Sequence, residues 1–506
     1  MKILLIRPPE KYVKGASRLA AGIPLGLLYI AAVLEKNNYT VEIYDAKVNT
    51  KEPTFPVSAD SIQMGDSWDR VASKIKNSQP DVVAISCPFS AQLDQTIYTA
   101  ELVKKIDQNI VTVIGGTHPS VRADDFFLRT KAVDVICQGE GEYSMLDVLN
   151  DLKAGENIKG KIFRAEHIQN LDELPYPAYH LINLEDYFLL NKKGFSGRHI
   201  WHAPRAERAI DIITSRGCPY NCIFCSIHLH MGKKWRYHSA EYVLGHLELL
   251  ATKYNIRHVH FEDDNLTHNL ERFKEIIAGL IHRQINITWD TPNGIRADNV
   301  TKEILRDCQQ SGCLYLVFGV ESGNQEVSNS IVGKGLKLDR MIQSVKWCKE
   351  LSLDTMAFYL IGFPGETKEN MQETIDLALW LQKKYDLLPS LSIATPLPGT
   401  KLEEICVDKG LMQTELSSEN LAKMTQGCYF MDSDKFKAEE IDALLERFYR
   451  KYKINYVRNS LLFFLAHPRA FFGLLKRLFG VYGFRFGKTD ILNILDYKKC
   501  LLRDLA

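Results

Sequence analysis

Two stretches of this chain alternate short apolar runs with helix-patterned segments, and that rhythm leaves few folds open. Within residues 1–155 the runs KILLIRPP, TVEIYDA, DVVAIS, IVTVIGG and DVICQGEGE read as strands, being apolar, rich in β-branched residues and bounded by Gly, Pro or polar turns. The segments PLGLLYIAAVLEKNNY, WDRVASKIKNSQP and AQLDQTIYTAELVKKIDQN between them carry helical spacing. Strictly alternating βα units predict a doubly wound parallel sheet, with ligands at the carboxyl ends of its strands. Glycines and polar groups collect at those ends: Arg7-Pro8-Pro9, Ser86, Gly115-Gly116-Thr117-His118 and Gly139-Glu140-Gly141-Glu142.

The rhythm resumes over residues 206–410. AIDIITS, IRHVHFED, NITWDTPNG, LYLVFGVES, DTMAFYLIGFPGE and LSIATPL are six strand-like runs, each but the last followed by helical sequence. Six such units predict a partial (β/α)6, TIM-like barrel whose site lies at the C-terminal rim. Residues 156–205, with LDELPYPAYHLINLEDYF, are proline-interrupted and lack strong periodicity, as expected of a linker packing on both neighbours. Residues 411–506 read as mostly helical. Between Arg447 and Lys488 stand ten Lys or Arg and no Asp or Glu, interleaved with Phe, Tyr and Leu, the composition of a basic amphipathic surface.

Charge excludes one class of partner. A net charge of +1 does not suit the whole molecule to nucleic acid or another polyanion. The run MKILLIRPPEK is too short for a secretory h-region and has no small-residue cleavage site, and no apolar run approaches the ~20 residues of a membrane span, so a cytoplasmic protein is expected. Eleven cysteines over 506 residues are no disulfide framework. Three of them are clustered in SRGCPYNCIFCS, as Cys218, Cys222 and Cys225 at C-x3-C-x2-C. A structural zinc site closes with four protein ligands, whereas three leave a coordination position for a reactant. The competing reading is a zinc knuckle completed by His228 or His230.

That spacing, with Phe224 just before the last cysteine, resembles the CxxxCxxΦC signature of the radical S-adenosylmethionine (SAM) superfamily. The resemblance implies a 4Fe-4S cluster on Cys218, Cys222 and Cys225, its open iron chelated by SAM. It extends through HFEDDNLT, where Glu262, Asp263 and Asp264 would receive the SAM ammonium, and NGIRAD, where Arg296 would meet the carboxylate. It continues through FGVESGNQEV, where Glu321 and Ser322 would contact ribose or methionyl groups, and IGFPGET, where Gly362, Pro364 and Gly365 would admit adenine. TPLPGT resembles the sixth-strand segment. Each fragment has an ordinary alternative, such as a helix N-cap at Asp263 or a surface ion pair at Arg296.

The first domain, with PPE, YDA, SCPF, IGGTHPS and GEGE in order, resembles the flavodoxin-like cobalamin-binding domain that precedes the radical SAM core in one large subgroup. Pro8, Pro9, Ser86, Gly115, Gly116, Thr117, Glu140 and Gly141 are the cobalamin contacts this implies. The loop after the first strand reads RPPEKYVKG and not D-x-H-x-x-G, so a cobalt without a protein histidine beneath it is expected, despite His118. What the subgroup implies is methyl transfer to an unactivated carbon, or phosphorus, of a small metabolite, in the manner of the class B radical SAM methyltransferases. Cobalt would take a methyl from one SAM, and a radical from a second would abstract the substrate hydrogen. An external donor of flavodoxin or ferredoxin type would supply electrons. The related anaerobic cyclase subgroup performs ring closure or oxidative rearrangement with the same domains, and a cobalamin-free radical SAM enzyme or a cofactor sensor are further alternatives. The segment 447–488 suggests a lipid or isoprenoid substrate, or peripheral contact with a membrane.

Overall fold

The computed structural model describes residues 1–14, 19, 21–195, 208–424 and 431–468. Strands β1 (Lys2–Arg7), β2 (Thr40–Asp45), β3 (Val82–Ser86), β4 (Val111–Gly115), β5 (Val135–Cys137) and β6 (Lys161–Phe163) form one sheet in the order β2-β1-β3-β4-β5-β6. Every pairing in it is parallel. Alternate side chains go to opposite faces, so Leu4, Ile6, Val83 and Ile85 pack under helices Trp68–Ser78 and Leu93–Ile106. Ile3, Leu5, Val82 and Ala84 pack against Leu25–Lys36 and Gly141–Lys153 on the other side. Burial on both faces explains why these strands read as continuous apolar runs.

The sixth strand comes from within the segment read as linker. Its three residues are flanked by polar sequence and lie at a sheet edge, so they carry little apolar signal. The small antiparallel sheet of Glu10–Val13, Ser61–Met64 and Thr54–Pro56 was equally hidden, its strands being short and largely polar. The rest of the linker packs on both neighbours: the Ala178 amide donates to the Leu28 carbonyl, and the Tyr179 hydroxyl lies 3.0 Å from His246 Nε2.

Strands β7 (Ala209–Ile212), β8 (His258–Phe261), β9 (Thr288–Ile295), β10 (Cys313–Glu321), β11 (Asp354–Ile361) and β12 (Leu388–Ile393) form a second parallel sheet in sequential order. This is the predicted open barrel. Two breaks in register shape its rim. In β9 the register shifts between Thr291 and Ile295, across Pro292, which has no amide for the ladder. In β10 it shifts between Gly319 and Glu321, and Glu321 takes φ 66°. Among the described residues no helix is long and apolar enough to cross a membrane.

Helix Ala438–Ala466 runs alongside Lys368–Tyr385, burying Ile441, Leu444 and Phe448. Asn455 donates to the Leu379 carbonyl and Asn459 to that of Gln382. Of the basic segment 447–488, residues 469–488 lie outside the described residues.

Candidate active site

The loop after β7 opens and closes on a two-rung ladder, Ser215–Arg216 against Arg236–Tyr237. Gly217, at φ 83°, turns the chain where a side chain would collide with the Lys234 carbonyl. The Cys218 amide donates to the Gly232 carbonyl, that of Ile223 to Val332 and that of Cys225 to Cys222, which ties the loop to itself and to the turn after β10. Cys218, Cys222 and Cys225 are half-buried, while the other described cysteines are buried. All three line one cavity of about 460 Å³ at the strand ends.

Burial raises all three thiols, Cys225 to about 12, so each proton must leave before a metal binds. Among the described residues, the trio whose ligand atoms approach within 4.8 Å of one another is His258, His260 and Asp290, deep in the barrel. His228 and His230 do not line the cavity. The zinc-knuckle reading therefore lacks its fourth ligand.

Of the residues expected to meet SAM, Phe224, Asp264, Arg296 and Glu321 line the cavity, whereas Asp263, Ser322, Gly362 and Pro364 do not. Asp263 is buried and accepts from the Thr214 hydroxyl at 2.7 Å and the Ser215 hydroxyl at 2.5 Å, stapling the start of the cysteine loop to β8. Its neighbour Asp264 lines the cavity with part of its side chain open to solvent, and the surrounding protein and the adjoining Asp263 raise its carboxyl above the usual range. The Arg296 guanidinium donates to Asp298 and to the carbonyls of Lys334 and Gly335, 4.2 Å from the centre of the Tyr220 ring. Ser322 accepts from the Asn324 amide. The turn at Gly362 and Pro364 is closed by its own Glu366, which accepts from the Phe363 amide at 2.8 Å; Phe363 in turn packs on Phe224.

Lys334 and Asn265 are among the cavity residues that escaped the sequence reading. Lys334 Nζ lies 2.8 Å from the Glu321 carboxylate, in the space left by Gly319. Asn265 places its Nδ2 3.9 Å from Cys218 Sγ, and its Oδ1 is buried without a partner. The only trace of the former in sequence is a lysine held between two glycines, Gly333 and Gly335, both at positive φ.

In the first domain the strand ends face the cysteine loop. Helix Thr117–Val121 contacts the helix Ile227–His230 that follows Cys225, and a side chain on Gly139 would meet the His230 carbonyl at 3.7 Å. Ser86, Gly115 and Thr117 stand along this rim, while Pro8 and Pro9, directly after β1, are buried. Gly116, at φ 123°, approaches the Cys87 carbonyl so closely that a Cβ would lie 2.5 Å from its oxygen. Gly141 is pressed against Ile30. Glu140 has a partner within the chain: its carboxylate joins Arg216 at 2.8 Å and Arg236 at 2.7 Å, with Glu142 completing the network at 2.6 Å from Arg216. His118 is held between the Ser90 hydroxyl at 2.8 Å and the Asp125 carboxylate at 3.2 Å.

The B12 binding domain model matches residues 13–149 and the radical SAM superfamily model residues 212–378. The chain is 31% identical to an uncharacterized methyltransferase of Pyrococcus horikoshii, over 89% of this chain and 92% of that one. It is 29% identical to the cytidylyl-2-hydroxyethylphosphonate methyltransferase of Streptomyces wedmorensis, over 85% and 86%. The anaerobic magnesium-protoporphyrin IX monomethyl ester cyclase of Rubrivivax gelatinosus is 23% identical, over 75% and 65%. Among solved structures, the cobalamin-dependent SAM radical enzyme OxsB superposes with a TM-score of 0.65 at 18% identity, covering all of this chain and 80% of that one, and shares the fold.

Proposed function

The chain belongs to the radical SAM superfamily, in the subgroup with an N-terminal B12 binding domain, and on that premise we propose a cobalamin-dependent methyltransferase acting on an unactivated carbon, or phosphorus, of a small molecule. It is a radical SAM enzyme whose cofactors are a 4Fe-4S cluster, SAM and cobalamin. When bound, they supply the methyl group and the 5′-deoxyadenosyl radical. The chain's own residues hold and position. Cys218, Cys222 and Cys225 would hold the cluster, with Phe224, Asp264, Arg296 and Glu321 around SAM. Ser86, Gly115 and Thr117 would border cobalamin, and Asp263 would keep the cysteine loop on β8.

The observation that carries this reading is the facing of two rims: the half-buried thiols open at the barrel's strand ends, against the strand ends of the first sheet. We assign residues 1–155 to the cobalamin domain, extended by β6, residues 156–205 to the connection, 206–410 to the core and 411–506 to a helical region. The substrate is proposed to be hydrophobic, the electron donor of flavodoxin or ferredoxin type, and the setting cytoplasmic, with peripheral membrane contact through residues 447–488.

Anaerobic reconstitution with iron, sulfide and hydroxocobalamin tests the proposal, followed by SAM and a reductant. Roughly four irons and one cobalt per chain, with release of both S-adenosylhomocysteine and 5′-deoxyadenosine, is the expected result. Iron without cobalt, or 5′-deoxyadenosine without S-adenosylhomocysteine, would overturn methyl transfer. The second of those outcomes is the one expected of a cyclase.

A further inference from the structure

Helix Ala438–Ala466 buries one side and leaves the other exposed in a way a solvated cap does not require. Ile454, Val457, Leu461, Leu462 and Leu465 are all exposed, Leu465 at 77%. Their spacing places them along one outward stripe. Exposed Arg447, Arg450, Lys451 and Arg458 lie on the same face, most of them one to two turns before it, with Lys453 beside it, and after Glu446 the sequence carries no acidic residue before Asp490.

The stripe has a definite place on the barrel. Near the start of the helix, Glu440 pairs with Lys368, just beyond the C-terminal end of β11. Farther along, Tyr456 packs among Leu314, Tyr315, Met356 and Leu388, residues at the starts of β10, β11 and β12, and Asn459 reaches Asp386. At the ~1.5 Å rise of an α-helix these points are about 28 Å apart. The helix therefore descends from the cavity end to the opposite end, and Leu461, Leu462 and Leu465 lie at its far terminus.

We propose that this stripe docks the enzyme on an anionic phospholipid surface, by the end of the barrel remote from the cysteine cavity. Apolar side chains would enter the acyl boundary while the flanking cations meet lipid phosphates, the arrangement of an interfacial helix that lies on a bilayer without crossing it. Charge selects this occupant. Folding residues 469–488 back over the stripe would bring Arg469, Lys476, Arg477, Arg485 and Lys488 against cations of the same sign, and a second copy of the helix would do likewise. Anionic lipid is complementary to both segments. Docked this way, the cavity faces away from the bilayer, so substrate would reach it from the aqueous side. The proposal sharpens the peripheral contact assigned to residues 447–488 and is independent of the chemistry in the cavity.

Flotation of the full-length protein with phosphatidylcholine vesicles, with and without phosphatidylglycerol, tests it. The expected result is co-flotation with the anionic vesicles that weakens at high salt, and roughly tenfold weaker binding for Val457→Glu/Leu461→Glu/Leu465→Glu or Arg450→Gln/Lys451→Gln/Lys453→Gln. All these side chains are exposed, so circular dichroism and melting should match the wild type. Wild-type protein that stays below the anionic vesicles, or glutamate variants that float equally well, would overturn the assignment. So would a concentration-dependent dimer that the glutamate variant dissolves and vesicles do not.

Discussion

Arg216 Nη1 lies 2.8 Å from Glu140 Oε1, joining a residue two positions before the first cysteine to the Gly-rich exit of β5 in the other domain. The Glu140 side chain is 0% exposed and that of Arg216 7%. Arg236, across the ladder from Arg216, holds the other oxygen of the same carboxylate. The base of the cysteine loop is thus bolted to the first sheet by charges that have no water to fall back on.

Removing one partner of such a cluster strands the others. Glu140→Gln should cost about 3–5 kcal/mol in urea unfolding, because two buried guanidinium groups lose their shared anion. A cost under ~1 kcal/mol would mean that water replaces the carboxylate at the joint.

Cys222→Ala should abolish the cluster's absorbance after reconstitution and leave corrinoid uptake intact, since Cys222 lines the barrel cavity. A normal cluster spectrum in this variant would refute the ligand assignment.

Adjacent glycines should behave differently. A Cβ on Gly115 meets Cys137 at an ordinary 3.8 Å, so Gly115→Ala should fold normally and report on corrinoid binding alone. Gly116→Ala forces a side chain onto positive φ and into the Cys87 carbonyl, and should destabilise the first domain by a few kcal/mol, read as an early melting step. Equal melting of the two variants would argue against this placement of the strand end.

Lys334→Met leaves Glu321 without its cation in the cavity. The expected outcome is a markedly slower release of 5′-deoxyadenosine with iron content unchanged. An unchanged rate would remove Lys334 and Glu321 from the SAM surroundings.

The barrel also carries a pH signature. Asp290, 2.7 Å away, raises His260 to about 9 against burial, while the two histidines hold Asp290 well below the usual carboxylate range. A raised histidine stabilises the fold fully below pH 6.5, and that contribution is lost as pH rises through about 9. The wild type should lose on the order of 3 kcal/mol across this window, a slope that His260→Gln removes. Parallel pH profiles for the two proteins would show that the pair is not charged.

Much of the fold was legible because burial on both faces of a parallel sheet writes itself as contiguous apolar runs, as in β1, β3, β4 and β10. Edge strand β6 was not, since three residues at a sheet margin bury too little to leave a pattern. The site divides along the same line. The thiols announced themselves by spacing, and Asp264, Arg296 and Glu321 by their positions after strands. Asp263 and Asp264 are chemically identical neighbours, and nothing local tells which one turns inward to Thr214 and Ser215 and which faces the cavity.

By itself, then, the chain's order of residues determined the succession of elements, the two parallel sheets and the three-thiol loop, because each follows from periodicity or spacing within a few turns of chain. Only the tertiary structure decided that Glu140 serves Arg216 and Arg236, that Lys334 enters the cavity beside Glu321, and that the apolar stripe from Ile454 to Leu465 lies at the end opposite the thiols. Those facts join residues as far as 96 positions apart, and a charge finds its partner only when packing has closed the intervening chain and excluded the water that would otherwise solvate it.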